Sequence, residues 1–244
     1  EEQLAAALGV ERVIGFSGRP GDSDGPHSPH WGTCAWPADY PTILKWQWEE
    51  KLVPYWRKEV AFAEKHGIRK FCFEMHPGFC VYNPETLLRL RTACGKQLGA
   101  NLDPSHFFWQ GIDPVEAARV LGDAKCIFHV HGKDTGIDPH NTRIKGALDT
   151  KSYANLHARS WVFRTCGYGH GDEFWKPFIS MLRAYGYLDI PGFRHSRPSL
   201  AEQASEASQT SSPSGGDTGR RANHRAADNA APPGAPAPAC RAGQ

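Results

Sequence analysis

The 244-residue chain is 40% hydrophobic, with eight Trp and twelve Phe, enough apolar material for a sizeable core in one large domain or two small ones. Its 28 basic and 26 acidic side chains nearly cancel to a formal +2, which gives no polyanion-binding surface over the whole chain and does not favour nucleic acid as a partner. No apolar run approaches the ~20 residues that span a bilayer, and seven Cys without a CxxC pair argue for reduced thiols in a cytoplasm.

The chain opens on EEQLAAAL without an initiator Met, which reads as the middle or end of an amphipathic helix stopping at Gly9. The natural domain is therefore expected to begin upstream. A strand over 12–17 runs into a Gly/Pro/Asp-rich loop over 18–30. Residues 31–56 hold Trp31, Trp36, Trp46, Trp48 and Trp56, aromatics that either pack a long loop onto the domain or line a pocket. They lead into a helix over 55–66, closed by Gly67. The next strand, from Lys70, is apolar and ends in Glu74, Met75 and His76. Asn83 is a natural N-cap, with Pro84 at the first helical position and Glu85 in the first turn, for a helix reaching about Ala93.

That pattern repeats. A strand over 98–103 ends in Asp103-Pro104-Ser105-His106, and Asp113-Pro114 caps a helix over 114–121 that closes at Gly122. The apolar run 126–130 is a buried strand followed by His131, Gly132, Lys133 and Asp134. Regular strand–helix alternation with short connections predicts right-handed βαβ units and a parallel sheet, hence an α/β fold. Residues 135–160 read as a polar excursion with a turn at Asp138-Pro139, and 161–165 as a short strand or an extended loop before Gly167-Tyr168-Gly169-His170-Gly171. A helix over 173–185 places Phe174, Phe178, Met181 and Leu182 on one face and stops at Gly186. The composition then switches to Ala, Pro, Ser and Arg. This divides the chain into a domain over 1–190 and a tail over 191–244, predicted to be disordered because it cannot bury enough apolar surface to offset its ordering entropy.

Three consecutive strands deliver metal-competent side chains at their C-terminal ends: Glu74 and His76, then Asp103 and His106, then His129 and His131. In a barrel of parallel strands those ends share one mouth. Two carboxylates and an imidazole make a mixed oxygen and nitrogen site for one divalent metal, Mn, Mg, Co, Fe or Zn, with no thiolate preference. The competing reading is a coincidence of polar loop starts, in which one histidine of the 128–134 stretch fills a core position and the other caps a loop.

The motifs FEMHPG (73–78), NLDPSHFFWQ (101–110), FHVHGKDT (128–135) and FRTCGYGHG (163–171), in this order, resemble the sugar phosphate isomerase/epimerase group of xylose-isomerase-like TIM barrels over roughly residues 1–187. The resemblance implies a (β/α)8 barrel with a divalent metal at its C-terminal mouth, acting on a carbohydrate. Matched residue by residue, it implies Glu74, Asp103 and His131 as metal ligands, with His106 beside the metal on the substrate oxygens. Glu74, His106 and Lys133 form the candidate catalytic set, and His76, His106, Asp134 and His170 the candidate substrate contacts. Lys133, Asp134, His76 and His170 also read as residues that orient ligands or stabilise loops.

The match is incomplete, with about strands 4 to 7 of the eight legible. The family pattern has three strands before 12–17, and a last strand bearing a glutamate where this chain reads Leu188-Asp189-Ile190-Pro191. That glutamate would supply the fourth ligand and a second acid/base group; Asp189 and His195 are nearby substitutes, and neither fits the pattern. The activity implied is isomerisation or epimerisation through an enediolate, with Glu74 as the base. The same enediolate serves a lyase or dehydratase acting on a keto-sugar or inosose. An apurinic-endonuclease-like hydrolase shares the barrel, but its basic groove does not suit the near-neutral charge. An inactive fragment is a further reading, and open sheet edges invite a homo-oligomer.

Overall fold

A computed structural model describes residues 2–25 and 28–187. The elements in order are α1 (Glu2–Ala7), β1 (Arg12–Gly15), α2 (Asp39–Trp46), a π-helical segment (Gln47–Leu52), α3 (Val53–Lys65), β2 (Lys70–Glu74), α4 (Pro84–Cys94), β3 (Leu98–Leu102), α5 (Ser105–Phe108), α6 (Pro114–Asp123), β4 (Ile127–Val130), β5 (Asp134–Ile137), α7 (Pro139–Lys145), a short 3-10 turn (Leu156–Ala158), β6 (Trp161–Arg164) and α8 (Asp172–Ala184).

Strands β1 to β4 pair in parallel in sequence order, the arrangement that successive right-handed βαβ crossovers produce. Both faces of β2 and β3 are covered: Phe71, Cys72 and Phe73 of β2 and all five residues of β3 are buried, which is why these strands read as continuous apolar runs. Gly99 allows the close approach of β4, because a Cβ there would lie 2.4 Å from the Phe128 ring and 2.6 Å from the Cys126 carbonyl oxygen. The helical layer packs Trp56, Val60, Leu87, Leu90, Leu121, Phe178 and Leu182 against the sheet in one core. Asn83 caps α4 through a reciprocal capping box with Thr86, and Asp113 caps α6 by accepting from the N–H groups of Val115 and Glu116.

The structure corrects three expectations. The Trp-rich stretch read as a long loop is helical from Asp39, continuing through the π segment into α3, and it buries Trp48 and Trp56. The polar excursion over 135–160 contains β5 and α7; Asp138-Pro139, read as a turn, is the N-cap and first residue of that helix, with Asp138 Oδ1 accepting from the Asn141 N–H. The strand at 161–164 continues no parallel sheet. It pairs antiparallel with β5 in a separate two-stranded sheet. The tail over 191–244, Asp189 and His195 lie outside the described residues. Among the described residues, no helix is long and apolar enough to cross a membrane.

Candidate metal centre at the strand ends

Parallel pairing places the C-terminal ends of β2, β3 and β4 side by side, with Glu74 opposite Asn101 and Asn101 opposite His129 in register. Asp103 follows the last residue of β3. His106 stands on α5, immediately beyond it, and α5 is tied down where the Thr135 hydroxyl donates to the Ser105 carbonyl at 2.7 Å. His131 follows β4, its N–H donating to the Leu102 carbonyl at 3.0 Å.

The side chains then meet. His106 Nε2 lies 2.7 Å from Glu74 Oε1 and 3.5 Å from Asp103 Oδ2, and His131 Nδ1 lies 3.0 Å from Glu74 Oε2 and 3.7 Å from the same Asp103 oxygen. Glu74, Asp103 and His106 offer ligand atoms that all lie within 4.8 Å of one another. His106 and Asp103 are buried, Glu74 is 12% exposed and His131 is 40% exposed, so the cluster opens on the His131 side.

The electrostatics follow from this crowding. Burial alone would push the Glu74 carboxyl up, but hydrogen bonds and charge from His106 and His131 outweigh it and hold the group well below the usual carboxylate range. Burial would lower His131, but the Asp103 and Glu74 carboxylates reverse this and raise it to about 9. Burial, reinforced by the charges of His131 and Arg12, pushes His129 down to about 4. His76 is lowered by burial and then by its His106 neighbour.

The donor set fits a divalent cation. Asp103 Oδ1 accepts from the Ser105 N–H at 2.9 Å, whereas the buried Oδ2, which points at both histidines, has no hydrogen-bond partner among the described residues. An orphaned buried carboxylate oxygen is costly unless a cation answers it. Carboxylate oxygens and imidazole nitrogens are ligands suited to Mn, Mg, Co, Fe or Zn.

The remaining candidates lie around this cluster in different ways. The His76 ring packs 4.2 Å from that of His106, with Nδ1 donating to the Pro77 carbonyl. Lys133 places Nζ 3.7 Å from the centre of the Phe163 ring, which stands perpendicular to the His106 ring with centroids 5.5 Å apart, so its ammonium lies over an aromatic neighbour of the cluster. Asp134, expected at the substrate, is instead fully buried. Its carboxylate is taken up by the N–H groups of Thr135, Gly167, Gly169 and His170, by Trp175 Nε1 and by His170 Nδ1. His170 is thereby fixed, and it stacks on Phe108 at 3.7 Å. Gly169 makes the wrap possible, since a Cβ there would lie 2.4 Å from the Thr135 carbonyl oxygen.

Sequence reasoning missed Asn101. Fully buried, it donates from Nδ2 to Glu74 Oε2 at 3.1 Å, lies 3.1 Å from His131 Nδ1, and accepts from His129 Nδ1 at 2.8 Å. The available signal was a primary amide inside an otherwise apolar strand, two residues before Asp103. A groove of about 690 Å³ runs between β1 and α3, and none of the four cluster residues lines it.

A family model for the xylose isomerase-like TIM barrel matches residues 2–210. The uncharacterized protein YfiH of Bacillus subtilis (strain 168) is 43% identical over 187 residues, which is 76% of this chain and 59% of that protein. The chain thus spans about 59% of the length of the curated relative it matches. Two solved structures are also similar. The probable 3-DHS dehydratase AsbF from Bacillus anthracis, involved in petrobactin synthesis, is 18% identical over 75% of this chain and 57% of its own, with a TM-score of 0.46. Mannonate dehydratase from Streptococcus suis serotype 2 is 12% identical over 86% of this chain and 67% of its own, with a TM-score of 0.45.

Proposed function

The chain belongs to the xylose isomerase-like TIM barrel family, and from that premise we propose that it is a divalent-metal-dependent isomerase or epimerase acting on a sugar or sugar phosphate through an enediolate. The observation that carries this reading is the convergence of Glu74, Asp103, His106 and His131 from the ends of three parallel strands, with the Asp103 Oδ2 oxygen left for a cation. Glu74 and Asp103 would hold the metal with His131, and His106, whose Nε2 faces the same space, would join them or meet the substrate oxygens. A bound divalent cation supplies Lewis-acid polarisation of a substrate carbonyl and stabilises the negative charge that forms when its neighbouring carbon loses a proton.

The chain's own groups supply the rest. Glu74, held ionised by its histidine neighbours, is the candidate base for the proton between the two substrate oxygens. His76 and Lys133 line the approach to His106 and would hold substrate oxygens. Asp134 acts at one remove, holding His170 toward the Phe108 face.

The test is proton exchange. In D2O with Mn²⁺, a panel of ketoses and ketose phosphates is expected to exchange the proton beside the carbonyl, visible as loss of that signal by NMR, and a Glu74→Ala variant is expected to lose the exchange. Release of an alkene-bearing keto product without exchange into recovered substrate would replace the isomerase reading with a dehydratase. Absence of both reactions across the panel would overturn the catalytic reading of this chain.

A further inference from the structure

Asn is depleted in strand interiors, and a buried primary amide is costly unless its donors and acceptor are all used. Asn101 is fully buried in the middle strand of three, and its neighbours dictate how its amide must face. The Glu74 carboxylate can only accept, so the Asn101 amino group turns to Oε2 at 3.1 Å. The same amino group lies 3.1 and 3.3 Å from the two ring nitrogens of His131. The amide oxygen then faces the opposite way, where His129 Nδ1 must donate to it at 2.8 Å. On the far side of the carboxylate, His106 Nε2 meets Oε1 at 2.7 Å. A directed chain results, running from His129 through Asn101 and Glu74 to His106 across β4, β3, β2 and α5.

We propose that Asn101 is the positioning residue of the metal centre: its amino group holds Glu74 Oε2 and its amide oxygen is held by His129 Nδ1, which fixes the carboxylate so that Glu74 Oε1 and Asp103 Oδ2 would be presented to a cation. This rests on the reading of the strand-end cluster as a metal site. Asn101 would not itself be a ligand and would act through Glu74, which its amino group holds. Outer partners of metal ligands typically contribute about 10–100-fold in affinity.

Mn²⁺ titration of the whole metal-free chain tests this, with thermal melting of the metal-free protein read in parallel. Asn101→Ala is expected to raise the Mn²⁺ Kd about 10–100-fold. Ala100→Gly, a cavity change at a buried core position one residue away, is expected to lower the melting temperature and leave Kd unchanged, which separates positioning from mere strand stability. Asn101→Ser, too short to reach Glu74 and His129 together, is expected to match Asn101→Ala and provides the measurement if the alanine variant does not fold. Asn101 variants that bind Mn²⁺ as tightly as the parent, or lose no more affinity than Ala100→Gly, would reduce Asn101 to strand packing and leave the metal reading standing. A parent chain that binds no Mn²⁺ would overturn both.

Discussion

Replacing Asp134 by Asn removes the negative charge on which the 165–175 loop is wound. The side chain is fully buried, and its two oxygens accept from four backbone N–H groups, the Trp175 indole and the His170 ring, at 2.7 to 3.3 Å. Asn keeps one oxygen and turns an amino group toward donors, so at least one cluster of N–H groups loses its acceptor. Breaking a buried charged network of this kind costs about 3–5 kcal/mol, against a total stability of roughly 5–15 kcal/mol for a domain. Urea unfolding followed by tryptophan fluorescence measures it as a drop in midpoint at constant slope. The pH dependence fixes the sign: hydrogen bonds outweigh burial and depress the folded-state pKa of Asp134 below its ordinary 3.8. Its contribution is therefore present above pH ~3.8 and is lost as pH falls through the lower folded value. The gap between native and Asp134→Asn should be full at pH 7 and close in strong acid. A gap below about 1 kcal/mol at pH 7, within the range of ordinary surface changes and weak hydrogen bonds, would refute the assignment of Asp134 as the loop's anchor.

Other outcomes follow from the same structure. With His131 raised to about 9, the metal-free protein holds this ring protonated at neutral pH, so Mn²⁺ binding below pH 9 should release a proton and weaken as pH falls; calorimetry in buffers of different ionisation enthalpy checks this. In the metal-free chain the stabilisation from charged His131 is complete below pH ~6.5 and is lost as pH rises through about 9, readable as a melting temperature that falls over that window. Gly169→Ala drives a methyl into the Thr135 carbonyl and should cost about 1–3 kcal/mol, with a changed His170 ring signal by NMR. Leu182→Ala empties a fully buried position where α8 packs into the core and should cost about 2–5 kcal/mol in urea unfolding.

What was legible in the sequence had a local physical cause. Strands β2 and β3 announce themselves because both faces are buried, and α4 and α6 because Asn83-Pro84 and Asp113-Pro114 are cap and first residue. Asp138-Pro139 carries the same signature, but the helix that follows is only seven mostly polar residues long, about two turns, and a turn reads much the same at that length. Helix α2 had no start signal, since Ala38 makes no side-chain cap and Pro41 sits in the first turn, where proline is tolerated but looks like a breaker. Glu74, Asp103, His106 and His131 could be picked out because strand ends gather at one sheet edge. Asp134 and Asn101 could not be sorted from them, because which polar group faces the opening and which faces a neighbour depends on register and on loop closure from 30 residues away.

The most direct test of the strand-end cluster is the metal content of the purified chain after dialysis against Mn²⁺, beside a Glu74→Ala/Asp103→Ala/His131→Ala variant. One equivalent of Mn²⁺ in the native chain and none in the variant is the result predicted. An equal metal content in the two, whether zero or one, would contradict the assignment of these residues as the metal centre.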